Sequence, residues 1–337
     1  MFTRVLAAAA ILIAAAALLL AAWPQLFGLE KAPFVAQVVS MRGLAIAVAL
    51  VGVVVLTLVA LVSVPARRFA ASIAIVLLGF AAVNTAVLST RGFGNTSFES
   101  RDSNELTVLS WNTLGDSPEA VTVAQLAIDV EADIIALPET TEAMGDSIAA
   151  LLGDSARPMQ SFTIAFDEIS KARSTTLLVA ASLGAYSIDR DSPNTQVLPS
   201  VVATPDDGTG PKIVSVHAVA PIAGQMENWR TDLNWLSEQC VGDNVIMAGD
   251  FNSTVDHYSG LATAEGAALG ECLDAGVESD NGAVGTWPTS WSPFLGAPID
   301  HVMYTDNWRV SGMRVIESHD KHGSDHRPIV VQLSPSG

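Results

Sequence analysis

Residues 244–253 of the chain read NVIMAGDFNS, an apolar run that ends in polar side chains. A run without internal polar residues predicts a strand buried on both faces, as in a sheet that other layers cover. Asp250 and Asn252 follow this strand at once. Because strand ends in α/β sheets open onto a crevice, we expect these two side chains to lie in a functional site.

Similar apolar runs alternate with helical patterns over residues 105–333, which predicts an α/β domain with many strands and few helices. On the last predicted helix, Trp229, Leu233 and Leu236 share one face with Cys240. The predicted helices are 117–132, with a Ser or Asp cap, 141–153 and 227–240. The other predicted strands are 105–113, 133–139, 174–182, 212–220, 297–305 and 325–333.

Polar side chains stand at the ends of most of these strands. Carboxylate and amide oxygens are the ligands that a hard cation such as Mg²⁺ selects, and a nearby histidine can take a proton from water. Each residue alone has an ordinary explanation, since Gly-Asp is a common turn pair and a lone strand histidine is usually a core residue. The strand-end residues are Asn112, Glu139, His217, Asp250, Asn252, Asp300, His301, Asp325 and His326.

The set is more specific than its members. In order, the chain gives LSWNTL, IIALPET, VSVHA, MAGDFNS, PIDHVMY and GSDHRPIV, within residues 105–333. This order resembles the endonuclease/exonuclease/phosphatase superfamily, which includes pancreatic deoxyribonuclease and the inositol-polyphosphate 5-phosphatases. The resemblance implies a deoxyribonuclease I-like four-layer α/β sandwich, with two mixed sheets face to face and helices outside. It also implies a metal-dependent phosphoesterase.

The resemblance assigns metal ligands by position. Glu139 is expected to be the main ligand of Mg²⁺ (or Mn²⁺), helped by Asn112 and Asp325. Pro138 is a departure, because the family usually has glutamine before the acidic ligand. We expect this proline to change local backbone freedom without changing the ligand.

The resemblance also assigns catalytic residues. His326 is expected to be the general base for the attacking water, oriented by Asp300. Asp250 is expected at the scissile phosphate, where it positions the nucleophile or serves the leaving group. Asn252 and His217 are expected to donate hydrogen bonds to the phosphoryl oxygens. His301 receives no role.

Residues 1–91 have the composition of a membrane segment, with Glu30 as their single acid. Each of three uncharged runs is long enough to cross about 30 Å of hydrocarbon as a helix. A cleaved signal peptide is the alternative for the first run, which its length and the two later runs disfavour. The runs are 5–23, 43–64 and 69–89. The predicted domains are a membrane anchor (1–91), a Gly/Ser/Asn-rich linker (92–104) and a catalytic domain (105–337).

The basic residues of the short loops predict the orientation. Arg67 and Arg68 fill the tight turn between the second and third runs, which favours the cytoplasmic side for that turn. With three spans, everything after Arg91 then lies outside, although Arg91 itself argues weakly for the reverse. The sequence therefore predicts a multi-pass plasma-membrane protein with an extracytoplasmic catalytic domain. Such a location permits a disulfide between Cys240 and Cys272, with two buried thiols as the alternative.

The charge of the soluble part bears on the substrate. Residues 92–337 hold 34 acids and 11 bases, a formal charge of −23 without a basic run. Nucleases that bind without sequence preference need basic surface to neutralise phosphates. Acidity and tethering together favour a lipid-linked phosphate ester at the outer membrane surface. The alternatives are a tethered nuclease acting on DNA or RNA, and an inactive phosphate-binding module. The basic residues near the motifs are Lys171, Arg173, Arg230 and Arg327.

Overall fold

The computed structural model describes residues 2–167 and 169–336, and within these residues twelve strands form two six-stranded sheets. The helices are α1 Phe2–Ala22, α2 Val35–Ser40, α3 Arg42–Val62, α4 Arg67–Ser89, α5 Ala120–Asp129, α6 Glu142–Asp154, α7 Met226–Gln239 and α8 Ala275–Glu278. The strands are β1 Leu106–Ser110, β2 Ile134–Pro138, β3 Met159–Ala165, β4 Ser174–Ala180, β5 Tyr186–Ile188, β6 Val201–Pro205, β7 Lys212–His217, β8 Val245–Asp250, β9 Leu273–Asp274, β10 Asp300–Tyr304, β11 Trp308–Val315 and β12 Ile329–Pro335.

Both sheets are mixed. The first has the order β11-β12-β1-β2-β4-β3 and the second the order β5-β6-β7-β8-β10-β9. In each sheet one pair is parallel, β1 with β2 and β7 with β8, and the other pairs are antiparallel. The sheets pack face to face and helices cover them outside, so the predicted four-layer deoxyribonuclease I-like sandwich is confirmed.

The central strands are apolar throughout because both of their faces are covered. In β2, Ile134 and Ala136 face the core between the sheets, whereas Ile135 and Leu137 face α5 and α6. Successive side chains of a strand point to opposite faces, so a strand between two layers needs apolar residues at every position. This burial fixes the strands rigidly and leaves only their ends open to solvent.

Helix α7 covers the second sheet. Trp229, Leu233, Leu236 and Cys240 are fully buried against it, which confirms the predicted apolar face. Cys240 is joined by a disulfide to Cys272, with Cα atoms 5.9 Å apart. The structure thus contains the bond that the sequence permitted but did not require.

Helix α5 begins at Ala120, and its N-cap residue Glu119 makes no side-chain capping bond. The prediction of a Ser or Asp cap for this helix was therefore wrong. Val123 and Leu126 of α5 pack against Ile135 and Leu137 of the first sheet in one apolar cluster. β2, the strand after α5, pairs with β1 and β4. Packing of the apolar face thus defines this helix without a capping side chain.

Helices α1, α3 and α4 correspond to the three uncharged runs and are long and apolar enough to cross a membrane. They expose large apolar side chains such as Leu12, Ile13 and Leu61, which suits a lipid environment. Residues 92–104, predicted as a linker, lie along the catalytic domain, where Phe98 forms a β-bridge with Gly312.

Candidate active site

The ends of four central strands meet at one edge of the sandwich. Asn112 follows β1, and Glu139 directly follows β2. In the facing sheet, His217 is the last residue of β7 and Asp250 is the last residue of β8. These two residues are paired with each other in the parallel ladder. Because both strand pairs are parallel, their carboxyl ends bring these side chains to the same edge.

Two antiparallel strands begin at the same edge. Asp300 is the first residue of β10 and pairs directly with Asp250 of β8. Asp325 and His326 precede β12, whose first residue Ile329 pairs with the end of β1. The structure therefore brings together the side chains that the sequence placed at separate strand ends.

His326 and Asp300 form a buried hydrogen-bonded pair. His326 Nδ1 lies 2.9 Å from Asp300 Oδ2, so the Nδ1–H tautomer donates to the carboxylate. Nε2 then points away, 3.8 Å from Asp250 Oδ2 and 3.9 Å from Asp325 Oδ1. This is the geometry of a histidine held in one orientation with the other nitrogen free to exchange a proton.

Opposing carboxylates govern the charge of this pair. Burial alone would lower the pKa of His326, but Asp300 and Asp250 outweigh it and raise that pKa. Burial raises the pKa of Asp250 to about 7, although the positive charge of His326 acts to lower that pKa. In the absence of another cation, the imidazolium form of His326 is therefore favoured between the two carboxylates.

Asn112 links the two sheets by hydrogen bonds. Its Nδ2 donates to Glu139 Oε1 at 3.2 Å and to Asp250 Oδ2 at 3.0 Å, while its Oδ1 accepts from Leu114 N at 2.9 Å. The amide oxygen thus faces the backbone in this structure. A role for Asn112 as a metal ligand requires its amide to turn, whereas its role as a bridge between the carboxylates is already in place.

The donor set fits a hard divalent cation. Asp250, Asp300 and His326 each offer a ligand atom, and these atoms lie within 4.8 Å of one another. His326 Nδ1 is already bonded to Asp300 Oδ2, so of the two ring nitrogens only Nε2 is available to a cation. Among the described residues, Asp325 Oδ1 is buried and has no hydrogen-bond partner. A buried carboxylate oxygen left without a donor is what a cation would satisfy.

His217 and Asn252 lie beside the carboxylates. Burial lowers the pKa of His217 to about 3, so its ring is neutral, and Thr175 Oγ1 lies 3.4 Å from Nδ1. His217 Nε2 is buried without a partner in the described part of the chain and lies 3.9 Å from Glu139 Oε1. Asn252 Nδ2 donates to Asp250 Oδ2 at 3.1 Å and to Ala218 O at 2.8 Å. His217 therefore has a free nitrogen for a ligand, whereas both amide hydrogens of Asn252 are engaged.

The backbone at the edge is tightly constrained. Gly249 has φ of 147°, and a Cβ atom there would lie 2.1 Å from Val216 O in the neighbouring strand. Only glycine allows β7 and β8 to approach this closely just before Asp250. Glu139 and Asn252 have positive φ values of 58° and 46°. Such conformations are costly for these residue types and often occur where a side chain is aimed at a site.

Several residues that support the site gave no signal as site residues in the sequence. Trp287 Nε1 donates to Asp325 Oδ2 at 2.8 Å, and Ser324 Oγ donates to Asn112 O at 2.6 Å. Arg327 is buried and donates to backbone carbonyls of the loop that carries Trp287. These contacts depend on a long loop without periodic pattern, so only the structure could reveal them.

His301, which received no predicted role, is buried in a separate network. Its Nδ1 lies 2.6 Å from Asp274 Oδ2, and its Nε2 lies 2.9 Å from Ser253 O. Both nitrogens are engaged, so the residue stabilises the loop behind the site.

The candidate catalytic residues Glu139, His217, Asp250, Asn252 and His326 line a cleft of about 500 Å³. Its floor is polar and includes Glu139, Asp250 and His326, while its walls are mostly apolar. One part of the wall comes from the first loop of the anchor, which the sequence did not suggest. The wall residues are Gln37, Ser40, Met41, Leu198, Val219, Ala220, Pro221, Ile222, Trp287, Ala297 and Ile299.

Comparison with solved structures gives the same fold. A humanized TDP2 from D. rerio has a TM-score of 0.53 at 18% identity, over 69% of this chain and 100% of that one. An endonuclease/exonuclease/phosphatase from Beutenbergia cavernae gives 0.51 at 16%, over 69% and 72%. Another from Bacteroides vulgatus gives 0.50 at 17%, over 69% and 99%. No curated protein matches the chain.

The sequence pattern of the Endonuclease/Exonuclease/phosphatase family matches residues 109–326. This region covers most of the chain and runs from the end of β1 to His326. The match and the four-layer fold agree with each other and with the convergence of polar residues at one sheet edge. The chain therefore belongs to the endonuclease/exonuclease/phosphatase family.

Proposed function

We propose that the protein is a divalent-metal-dependent phosphoesterase that uses Mg²⁺ or Mn²⁺. The observation that carries this proposal is the buried Asp300–His326 pair. His326 lines the same cleft as Glu139, and its free Nε2 lies 3.9 Å from the unpartnered Oδ1 of Asp325. Hydrolysis of a phosphoester requires charge neutralisation, an aligned water and a stabilised leaving oxygen. The proposed site supplies a group for each of these needs.

In this mechanism Glu139 and Asp325 would hold the cation, and Asn112 fixes the position of Glu139 by donating to its carboxylate. A divalent cation bound there would neutralise phosphoryl charge and, by its own charge, favour the neutral form of His326. His326 takes the proton of the attacking water at Nε2, and Asp300 holds the ring through Nδ1.

The remaining groups act on the phosphoryl group. His217 Nε2 is free to donate to a phosphoryl oxygen, and Asn252 supports Asp250 by donating to its carboxylate. Asp250 lies between these residues and His326, where it can position the water or return a proton to the leaving oxygen. The retained set disfavours the alternative of an inactive phosphate-binding module.

Metal removal is expected to abolish hydrolysis. With bis-p-nitrophenyl phosphate as substrate, the protein in liposomes should be active in Mg²⁺ or Mn²⁺ and inactive in excess EDTA, because the carboxylates of the site need a cation to approach a phosphate. Release of p-nitrophenol measures the rate, and added Mg²⁺ should restore it. Full activity in excess EDTA would contradict the proposal.

The substrate is proposed to be a phosphate ester of the outer membrane surface, lipid-linked rather than nucleic acid. The four basic residues near the motifs are engaged within the protein. Lys171 pairs with Asp116 at 3.2 Å and Arg173 with Asp167 at 2.7 Å. Arg230 donates to Lys31 O, and Arg327 pairs with Asp320 at 2.7 Å. Among the described residues, no lysine or arginine lines the cleft, so a polyanion finds little to neutralise its charge there.

The nuclease alternative has one specific support, since a structure of D. rerio TDP2 contains a single-stranded DNA product. The same liposome assay decides between the two substrates. Lipid phosphates in the bilayer and single- and double-stranded DNA in solution are compared in physiological salt. A kcat/KM for DNA at least tenfold above that of every lipid phosphate would establish the nuclease instead.

The arrangement of the anchor supports an extracytoplasmic catalytic domain. Arg42 at the start of α3 and Arg91 after α4 both bind Asp256 of the catalytic domain. The antiparallel run of the helices puts Arg67 and Arg68 at the opposite end, roughly 30 Å away. Arg91 thus has a carboxylate partner, whereas Arg67 and Arg68 form no ion pair among the described residues, which favours the cytoplasmic side for their turn.

Protease added to intact spheroplasts is expected to digest the catalytic domain. The expectation follows from the paired arginines at the end of the anchor remote from that domain. Immunodetection of a C-terminal tag measures the outcome, with a cytoplasmic protein as the control for lysis. A tag that disappears only after lysis would place the domain inside the cell.

A further inference from the structure

The first loop of the anchor forms part of the active-site cleft. Gln37 and Ser40 of α2, with Met41 after it, line the same cleft as Glu139 and His326. Gln37 Nε2 donates to the carbonyl oxygen of Pro221, a cleft-lining residue of the α/β domain. The catalytic domain therefore does not hold a complete cleft by itself, and the anchor closes one side of it.

Contacts between the loop and the catalytic domain fix this wall. Arg230 donates to Lys31 O at 2.9 and 2.7 Å, and His257 Nε2 lies 3.2 Å from Ala36 O. Gly43 lies so close that a Cβ atom would sit 1.8 Å from Phe294 O. Backbone groups at both ends of α2 thus lie against the catalytic domain, so the wall is a defined surface.

A buried charge cluster adds to this docking. Asp256 accepts two bonds from Arg42, at 2.9 and 2.7 Å, and two from Arg91, both at 2.7 Å. Burial favours the neutral acid, but the two guanidinium groups outweigh it and hold the pKa of Asp256 well below its usual range. Asp256 is four residues from Asn252 of the active site, so the cluster joins the anchor to the cleft directly.

The wall is mostly apolar, and its residue Met41 directly precedes α3. Leu198 and Ile222 line the same cleft, and Ile222 is 58% exposed. Outside the cleft, Phe34 of the same loop and Phe294 are 84% and 54% exposed. Large exposed apolar side chains suit a binding surface or a membrane contact. Phe34 and Met41 belong to the segment that joins α1 and α3, two helices apolar enough to cross a membrane.

We propose that the wall formed by Met41, Leu198 and Ile222 binds the hydrocarbon chain of a lipid phosphate, so that the anchor contributes to substrate specificity. This inference rests on the proposed phosphoesterase function and adds the substrate class. The polar floor takes the phosphate, and Met41 of the wall directly precedes α3, one of the helices apolar enough to cross a membrane. A water-soluble phosphate ester would leave this apolar surface uncovered.

Two chromogenic diesters with the same scissile bond test the inference. They are methyl 4-nitrophenyl phosphate and dodecyl 4-nitrophenyl phosphate, offered to the full-length protein in phosphatidylcholine liposomes. The wild type is expected to have a kcat/KM for the dodecyl ester at least about tenfold above that for the methyl ester, because each buried methylene contributes to binding. The double variant Met41→Gln and Ile222→Asn should lower this ratio at least about fivefold.

The matched control is Val241→Asn, an exposed apolar position before β8, at the end of the strand opposite the site. This control should keep the wild-type ratio. An unchanged ratio in the double variant, or equal losses on both esters, would overturn the inference, since either result separates the wall from chain binding. Failure of the wild type to hydrolyse either ester in Mg²⁺ or Mn²⁺ would overturn the proposed function itself.

Discussion

His326→Ala is expected to lower kcat/KM for phosphoester hydrolysis at least about 100-fold, the usual scale for the loss of a general base. His326 Nε2 is the free nitrogen of the pair with Asp300, which holds the ring in position to take a proton from water. Glu139→Gln should cause a loss of similar size, because it removes a negative ligand from the proposed cation. Steady-state rates with bis-p-nitrophenyl phosphate and Mg²⁺ measure both effects.

Two further variants separate chemistry from folding. His326→Ala leaves the buried Asp300 without its partner, which threatens the fold. His326→Gln keeps a donor for Asp300 but cannot act as a base, so it should lose activity while its thermal unfolding stays close to that of the wild type. His322→Ala, an exposed histidine four residues earlier, serves as the control and should keep the wild-type rate. Full activity in either His326 variant would exclude it as the base.

The central strands could be predicted because their local sequence carries the whole signal. β2 and β8 are apolar at nearly every position. An acid directly follows β2 and another ends β8, so burial on two faces and a site at the end are both visible in a short window. The four edge strands, β3, β5, β9 and β11, were not predicted, and neither was the inner strand β6. An edge strand has fewer covered positions, as the half-buried residues of β3 show, and its pattern is correspondingly weak.

The position of each strand-end residue could be predicted, but its contacts could not. The motif order indicated that Asn112 belongs to the site, yet only the structure shows its amide bridging Glu139 and Asp250. Trp287, which supports Asp325, lies in a loop whose path follows from the buried Arg327 and not from any periodicity. Such contacts join residues far apart in sequence, where local propensity carries no information.

Docking of the anchor was likewise invisible in the sequence. Arg42 and Arg91 lie 214 and 165 residues before Asp256. The positive-inside rule counts both arginines as loop charges and takes no account of a distant carboxylate partner. Arg91 therefore argued against the predicted orientation when counted as a loop charge. Its bidentate pairing with Asp256 removes that objection, because a neutralised arginine says little about the side of the membrane.

Asp256→Asn is expected to destabilise the full-length protein by about 3–5 kcal/mol, the usual cost of removing one partner from a buried ion pair. Asp256 and Arg42 are each only 4% exposed, so the variant leaves two guanidinium groups with little access to water. Thermal unfolding in detergent measures the loss. Hydrogen exchange should rise first in residues 23–41, because the anchor loop is what the cluster holds against the catalytic domain.

The double variant Asp256→Asn with Arg91→Gln should recover part of this loss, because it restores the net charge of the buried cluster, and the two single variants complete the thermodynamic cycle. The pair between Arg309 and Glu99 is the matched control. It has the same bidentate geometry, with one bond of 2.7 Å, but both side chains are exposed. Glu99→Gln should therefore leave the unfolding temperature nearly unchanged, since water and salt screen an exposed pair. An equally small effect of Asp256→Asn would mean that the buried cluster does not hold the anchor, and that the wall of the cleft is fixed by the backbone contacts alone.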